Sequence, residues 1–372
     1  MELRERVDVS PRAAFLRSDV IVLAMTTKSR TTVAILKIGF WALVLARGVR
    51  GSFAPSKPIS GRLSDVNIEP TNLCNADCVF CGYQFQERPH VAMEADLAAT
   101  IIAAAKQAGV TRLGMTPIVG EPLVHRKLED FIRLARAEPN PMQVGLSTNG
   151  ILLVPARYRS LVEAGINTIG ISMSYPDEEE YRRIYRSPKL KAVVANIEAI
   201  LSIYDRSDCA ITLALRTNRI RNWDDHPMIV RAREKGWKVT RTLQFDDWSG
   251  RVNALLEAEG LIARPNRPKI LPCTMTNSGP HFLSDGRATA CGCRDLDGKS
   301  ALALSPADLI ADMRGVYEKG AVAALRQRFR DGTAPEICLS CRHYNPAYGG
   351  EAISTRIRQL IADARASLSR GI

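Results

Sequence analysis

A helix that crosses a bilayer needs about 20 uncharged apolar residues in a row, and this sequence has no such run. Val20–Met25 is short, and Thr32–Ala46 holds Lys37 within it, with Arg47 and Arg50 just beyond. Neither run is followed by a small-residue cleavage site, so a secretory signal is not expected. An amphipathic helix packed on the domain that follows, or interfacial membrane contact, fits residues 1–60 better, and Met25 is an alternative start. Acidic residues are in deficit, 39 Asp and Glu against 51 Lys and Arg, for a net charge of +12. That excess invites a nucleic-acid partner, but its placement argues against one. Residues 1–64 carry eleven basic and four acidic side chains, so +7 of the charge lies there, and no RNA-binding signature follows. An acidic substrate, or weak contact of the N-terminal segment with a membrane surface, accounts for the charge as well. Histidine is scarce too: the five, at 90, 125, 226, 281 and 343, show no ligand spacing and are assigned no role.

Cysteine is present in a pattern. Of nine, eight fall in clusters at 74, 78 and 81, at 273, 291 and 293, and at 338 and 341. Only Cys209 stands apart, as a small apolar residue at the start of a strand. Such clustering suggests metal rather than disulfides, hence a reducing, cytoplasmic setting. Glu69–Tyr83 reads Glu-Pro-Thr-Asn-Leu-Cys-Asn-Ala-Asp-Cys-Val-Phe-Cys-Gly-Tyr, with a C-x3-C-x2-C triplet. Three thiolates on one short loop can hold three irons of a cubane [4Fe–4S] cluster and leave the fourth open to chemistry. The plainer alternative is zinc or a buried thiol cluster, although zinc usually takes four ligands in paired spacings.

From Ser64 onward the chain alternates between the two periods of regular structure. Strands are expected at Val66–Glu69, Arg112–Thr116, Gln143–Ser147, Thr168–Met173, Ala210–Arg216 and Lys238–Leu243. Helices are expected at Met93–Ala108, Lys127–Ala137, Pro155–Ala164, Asp177–Tyr185, Leu190–Tyr204 and His226–Lys235. Strands joined by helical crossovers argue for an α/β fold with a parallel sheet. Residues 350–369, apolar at 353, 357, 360, 361 and 364, read as a terminal amphipathic helix. Charged residues at 24% and hydrophobic ones at 46% are ordinary for a globular protein, and the length allows two domains.

The triplet, with Phe80 just before its last cysteine, resembles the radical S-adenosylmethionine (SAM) enzymes. The resemblance implies a partial (β/α)6 TIM-like barrel, with the site at the carboxyl ends of the strands. It also implies that Cys74, Cys78 and Cys81 hold a [4Fe–4S] cluster whose open iron is chelated by SAM. One electron, from a flavodoxin- or ferredoxin-type reductant, then releases methionine and a 5′-deoxyadenosyl radical that abstracts hydrogen. Gly120, Glu121 and Pro122 resemble the family's GGE motif, with Val119 in place of the first glycine, and would receive the SAM ammonium. Ser147 and Asn149, within Ser-Thr-Asn-Gly, resemble the segment that meets the SAM ribose or carboxylate, though alone they read as a turn. Ser172 and Ser174 end the fourth strand, where polar residues face SAM in the family, Ser174 standing where an Asp is common. Arg216 would meet the SAM carboxylate or the substrate, or else form a salt bridge at the barrel rim.

Beyond the sixth strand, Cys273, Cys291, Cys338 and Cys341 supply four ligands, enough to close an auxiliary [4Fe–4S] cluster. Asp285-Gly286 is a hairpin signal, and Gly286 and Cys291 make a G-x4-C pattern. This resembles the C-terminal extension of the SPASM and twitch subfamilies, in the shorter twitch form. A four-cysteine zinc site is the plainer alternative. Cys293 is left over: a substitute ligand, an inert thiol or a hydrogen donor to a substrate radical. The resemblance covers about 64–345. The division expected is an extension at 1–63, the barrel at 64–255, the auxiliary-cluster domain at 256–345 and a C-terminal helix at 346–372.

Together these imply dehydrogenation, or a related epimerisation, of a small sugar-like or aminocyclitol-like substrate. Arg216, Asp246, Asp247 and Arg251 are the candidates to bind its hydroxyls or an acidic group and to act as base. A peptide-modifying maturase is the main rival. Many of those carry an N-terminal recognition domain of roughly 80 to 100 residues, whereas about 64 precede the barrel here and lack a strand pattern. A non-catalytic iron–sulfur carrier or zinc-stapled binding protein is the alternative from another class.

Overall fold

Alternation along the strands decides the architecture. The structure, a computed structural model, describes residues 61–269, 271–277 and 279–346. The expectations for residues 1–60 and for the helix at 350–369 lie outside the described residues. β1 (Asp65–Ile68), β2 (Arg112–Met115), β3 (Gln143–Thr148), β4 (Thr168–Met173), β5 (Ala210–Arg216) and β6 (Lys238–Thr242) pair in chain order, each parallel to the next. Between them run α1 (Ala95–Gln107), α2 (Leu128–Arg136), α3 (Pro155–Glu163), α4 (Glu178–Tyr185) with α5 (Leu190–Ile203), and α6 (Pro227–Glu234). Local chemistry sets their ends. Pro155 and Pro227 open α3 and α6, where a missing N–H costs nothing. The Asp177 side chain accepts from the Glu180 amide at 2.9 Å and caps α4.

On one face of the sheet, Val66, Ile68, Leu113, Met115, Val144, Leu146, Ile169, Ile171, Leu213 and Leu215 are buried against the helices. Burying each such side chain is worth about 1.5–3 kcal/mol, so this face fixes the register. The alternate positions are Asn67, Gly114, Gly145, Ser147, Gly170, Ser172, Thr212, Ala214 and Arg216, none of them buried. A closed eight-stranded barrel fills its interior with large branched side chains. Here that face is small and polar, and it is open to a ligand.

The cysteine-rich region joins the same sheet. β9 (His281–Phe282) lies parallel to β1, with Asn67 opposite His281 and Ile68 opposite Phe282. β10 (Ala288–Thr289) and β11 (Ala303–Leu304) add antiparallel, giving the order β11-β10-β9-β1-β2-β3-β4-β5-β6. β7 (Gln244–Phe245) and β8 (Ile262–Ala263) form a separate two-stranded parallel ribbon around α7 (Asn253–Ala258). α8 (Pro306–Glu318), α9 (Ala321–Arg330) and the single turn α10 (Glu336–Leu339) complete the described chain.

Candidate active site

The first cysteine loop leaves the carboxyl end of β1 and is tied at its base. Asn72, fully buried, donates from Nδ2 to Gln86 Oε1 and to the Pro89 carbonyl, both at 2.9 Å, and accepts from the Val91 amide at 2.8 Å. Thr71 Oγ1 donates to the Val91 carbonyl at 2.9 Å. Below the loop, Glu69 and Arg88 form a buried ion pair at 2.8 Å. Cys74, Cys78 and Cys81 stand half-buried on the loop so tied. Burial pushes the Cys74 thiol up to about 12 and raises Cys78 and Cys81, and for Cys78 the other two sulfurs add to the rise. The Arg216 guanidinium acts against it at Cys78 and Cys81. Three crowded thiols that resist ionising are poised for a cationic metal centre, which would reverse that balance.

The loop after β2 is stitched to this base. Gly120 has φ +124°, and a Cβ there would fall 2.3 Å from the Thr71 carbonyl oxygen, so only glycine fits. The next amide, Glu121 N, donates to Leu73 O at 2.7 Å. The Glu121 carboxylate is buried and accepts from Leu123 N at 3.1 Å, Thr148 Oγ1 at 2.6 Å and Asn149 N at 2.7 Å. Burial pushes it up to about 7 despite those donors. Asn149 Nδ2 in turn donates to Asn75 Oδ1 on the cysteine loop at 2.6 Å. The ends of β1, β2 and β3 thus form one hydrogen-bonded rim, with Pro122 buried beneath it and Ser147 exposed on the open face.

Across the opening, Phe80 packs on Phe245 at 4.9 Å between centroids and meets Tyr185 edge-on at 5.6 Å. The Arg216 guanidinium lies 4.9 Å from the Phe80 ring centre, and its Nε donates to Ser172 Oγ at 2.7 Å. Arg216 makes no ion pair among the described residues, so it is not a rim salt bridge. Ser174 is buried and bonds the Tyr175 carbonyl.

The remaining predicted polar residues go elsewhere. Asp246 accepts from Arg294 Nη1 at 2.6 Å and from the Arg342 amide at 2.9 Å, and Asp247 pairs with Arg342 Nε at 2.7 Å. Arg251 is exposed and stacks over Phe85. Between them Trp248 and Ser249 hold left-handed backbone, φ 51° and 62°. That strained turn sends Trp248 Nε1 to the Phe80 carbonyl at 3.0 Å, and its ring leaves Gly82 no room for a Cβ. Ser249 reaches Ser340 at 2.9 Å. The 246–249 loop therefore straps the first cysteine loop to the second set.

That second set is assembled from distant segments. Cys273 pairs antiparallel with Pro346, Thr274 N donates to Asn345 O at 2.8 Å, and Cys341 N donates to Cys338 O at 3.1 Å. Cys273, Cys291, Cys293, Cys338 and Cys341 all line one small cavity, with Phe329, Ile337 and Leu302 in its walls. A hydrogen bond between the Cys291 and Cys293 side chains lowers Cys291 and pushes Cys293 up. Among the described residues no three His, Cys, Asp or Glu side chains close on a single metal ion.

Residues 68–226 match the family model described as the Radical SAM superfamily. The chain carries a radical SAM domain. It is 29% identical over 195 residues to GTP 3′,8-cyclase of Chlorobaculum tepidum, which is 50% of this chain and 56% of that protein. It is 32% identical over 139 residues to GTP 3′,8-cyclase of Pelotomaculum thermopropionicum, 37% and 42% of the two chains. The match thus spans about half the length of these curated relatives. Among solved structures, BtrN in complex with AdoMet and 2-DOIA superposes with a TM-score of 0.54 at 14% identity, over 77% of this chain and 95% of that one. SuiB of Streptococcus suis bound to S-adenosylmethionine gives 0.52 at 13% identity, over 85% and 78%. At those identities the likeness concerns the fold, and it reaches beyond residues 68–226.

A radical SAM domain works with a [4Fe–4S] cluster and SAM, and the residues present suit both. Cys74, Cys78 and Cys81 are a three-sulfur donor set with no carboxylate among them, beside an open polar face. Five sulfurs in an apolar cavity suit an auxiliary cluster, with one to spare. Sequence reasoning missed Asn72, Thr148, Phe245 and Trp248. Asn72 and Thr148 lie inside the quoted motifs, whereas nothing local marks Phe245 or Trp248. Among the described residues no helix is long and apolar enough to cross a membrane.

Proposed function

We propose that this radical SAM domain oxidises a C–H bond next to a hydroxyl in a small polar, sugar-like metabolite, giving a carbonyl. With SAM on the first cluster and an auxiliary cluster in the five-cysteine cavity, these groups would supply a radical that removes the hydrogen atom and an acceptor for the remaining electron. The chain does the rest. The tied loop of Cys74, Cys78 and Cys81 holds the first site at the strand ends. The rim of Gly120, Glu121, Thr148 and Asn149 shapes the floor on which SAM lies. Arg216, a cation without a carboxylate partner, holds an anionic group of SAM or substrate, and Ser172 and Phe80 fix its direction. The hydroxyl proton leaves to a base on the chain or to water.

The observation that carries this reading is the five-cysteine cavity strapped by Trp248 and Ser249 to the first cysteine loop. It supports an electron acceptor beside the reaction, which dehydrogenation needs and epimerisation does not. The spare Cys293 favours epimerisation as the second reading. Reaction in D2O with Cys293→Ala beside wild type separates them. Dehydrogenation predicts an oxidised product without carbon-bound deuterium from both proteins. Deuterated, unoxidised product from wild type, lost in Cys293→Ala, supports epimerisation. The relatives named GTP 3′,8-cyclase make a nucleotide a further substrate to include, and a peptide maturase is tested by the same 5′-deoxyadenosine assay with peptides.

A further inference from the structure

A second cavity, of about 340 Å³, opens beside the auxiliary site. It falls within the size range of small-molecule sites. Its described lining includes three guanidinium groups, Arg264, Arg267 and Arg342, with His343, and no carboxylate. Arg342 is offset by Asp247 at 2.7 Å. Arg264 is bonded to no carboxylate among the described residues. Its Nε donates to the Gln244 carbonyl at 3.1 Å, and its Nη1 faces His343 Nδ1 at 3.4 Å. The carboxylate whose field reaches it, Asp246, is already bonded to Arg294 and to the Arg342 amide. A half-buried cation among other cations, with no bonded anion, is costly unless a ligand supplies the charge.

The position matters as much as the charge. Met275, His343 and Tyr344 line both this cavity and the five-cysteine cavity. Arg264 also lies within the field of Arg216, which stacks on Phe80 of the first loop. A molecule anchored here borders the five-cysteine cavity.

We propose that this cavity is the anchor for a phosphoryl group of the substrate, with Arg264 as its central contact. The inference rests on the reading that the chain acts on a small polar metabolite, and it narrows that metabolite to a phosphate ester or nucleotide. Several guanidinium groups lining one cavity suit the three oxygens of a phosphoryl group better than a flat carboxylate.

The test measures binding of pyrophosphate, and of citrate as the carboxylate counterpart, to the anaerobically reconstituted full chain by calorimetry at fixed ionic strength. 5′-Deoxyadenosine formation is scored separately, so that failure of the radical reading shows there and failure of the anchor shows in the anion titration. Expected is pyrophosphate affinity that falls ten- to a hundredfold in Arg264→Gln, partly returns in Arg264→Lys, and is unchanged in Arg182→Gln on the exposed face of α4. Arg267→Gln, at an exposed side chain, serves if Arg264→Gln fails to fold, and should lose severalfold. Equal affinity in all variants, or citrate binding as tightly as pyrophosphate, would overturn the proposal.

Discussion

The guanidinium of Arg216 at the end of β5 lies 4.9 Å from the ring centre of Phe80, one residue before the last cysteine of the first loop. Ser172 of β4 fixes it from the side at 2.7 Å. A cation so held and lacking a carboxylate is built for an anion. Arg216→Gln should keep the iron content of the reconstituted protein. It should weaken SAM binding about ten- to a hundredfold, the worth of a hydrogen bond to a charged group. Equilibrium titration with SAM measures it, and an unchanged Kd would assign Arg216 to the substrate instead.

Gly120 sits where a side chain meets backbone. With φ +124° and a Cβ 2.3 Å from the Thr71 carbonyl, Gly120→Ala must push the β2 loop off the cysteine loop. The cost should be about 1–3 kcal/mol or more. Hydrogen exchange should show faster opening at Leu73 and Glu121, whose 2.7 Å bond joins the two loops.

The Glu69–Arg88 pair is nearly sealed from water, with side-chain exposures of 2% and 0%. Arg88→Met leaves the Glu69 carboxylate buried without a counter-charge, bonded only by Ser284, and should cost about 3–5 kcal/mol. The double variant Glu69→Leu, Arg88→Met should recover a large part of that. Urea unfolding of the three proteins decides it, and equal losses in the single and double variants would deny that the unpaired charge is the cause.

Glu121 predicts a pH dependence. Its folded carboxyl is pushed up to about 7 from an ordinary 4.5, chiefly by burial. Below the ordinary value both states hold the proton, and the contribution to stability is full. Between the two values the unfolded chain has lost its proton and the folded one has not, so stability declines as pH rises. The loss by pH 8 should be on the order of 3 kcal/mol relative to Glu121→Gln. Parallel stability curves for the two proteins from pH 5 to 8 would contradict this.

Much of the parallel sheet was legible in the sequence because each strand carries its own alternation. Ile169, Ile171 and Met173 face the helices, while Gly170 and Ser172 face the opening, and the period of two is plain. β7 to β11 are two residues each, too short to show any period. The pairing of β9 with β1 joins residues more than 200 apart in the chain, and no local signal encodes it. In the candidate site, the cysteines stood out by their spacing, and the strand ends bring Phe80, Ser172 and Arg216, which the resemblance named, together. Asp246 and Asp247 read from the sequence as candidates to bind the substrate or act as base. Their partners Arg294 and Arg342 come from the far segment, so their use in ion pairs was invisible until the chain was folded.

The central claim is that Cys74, Cys78 and Cys81 hold a cluster with one iron open to SAM. It is tested most directly by adding SAM to anaerobically reconstituted, reduced protein carrying about eight irons per chain, and measuring methionine and 5′-deoxyadenosine. The account predicts that wild type releases both and that Cys78→Ala releases neither. Fully loaded, reduced wild-type protein that releases neither would contradict it.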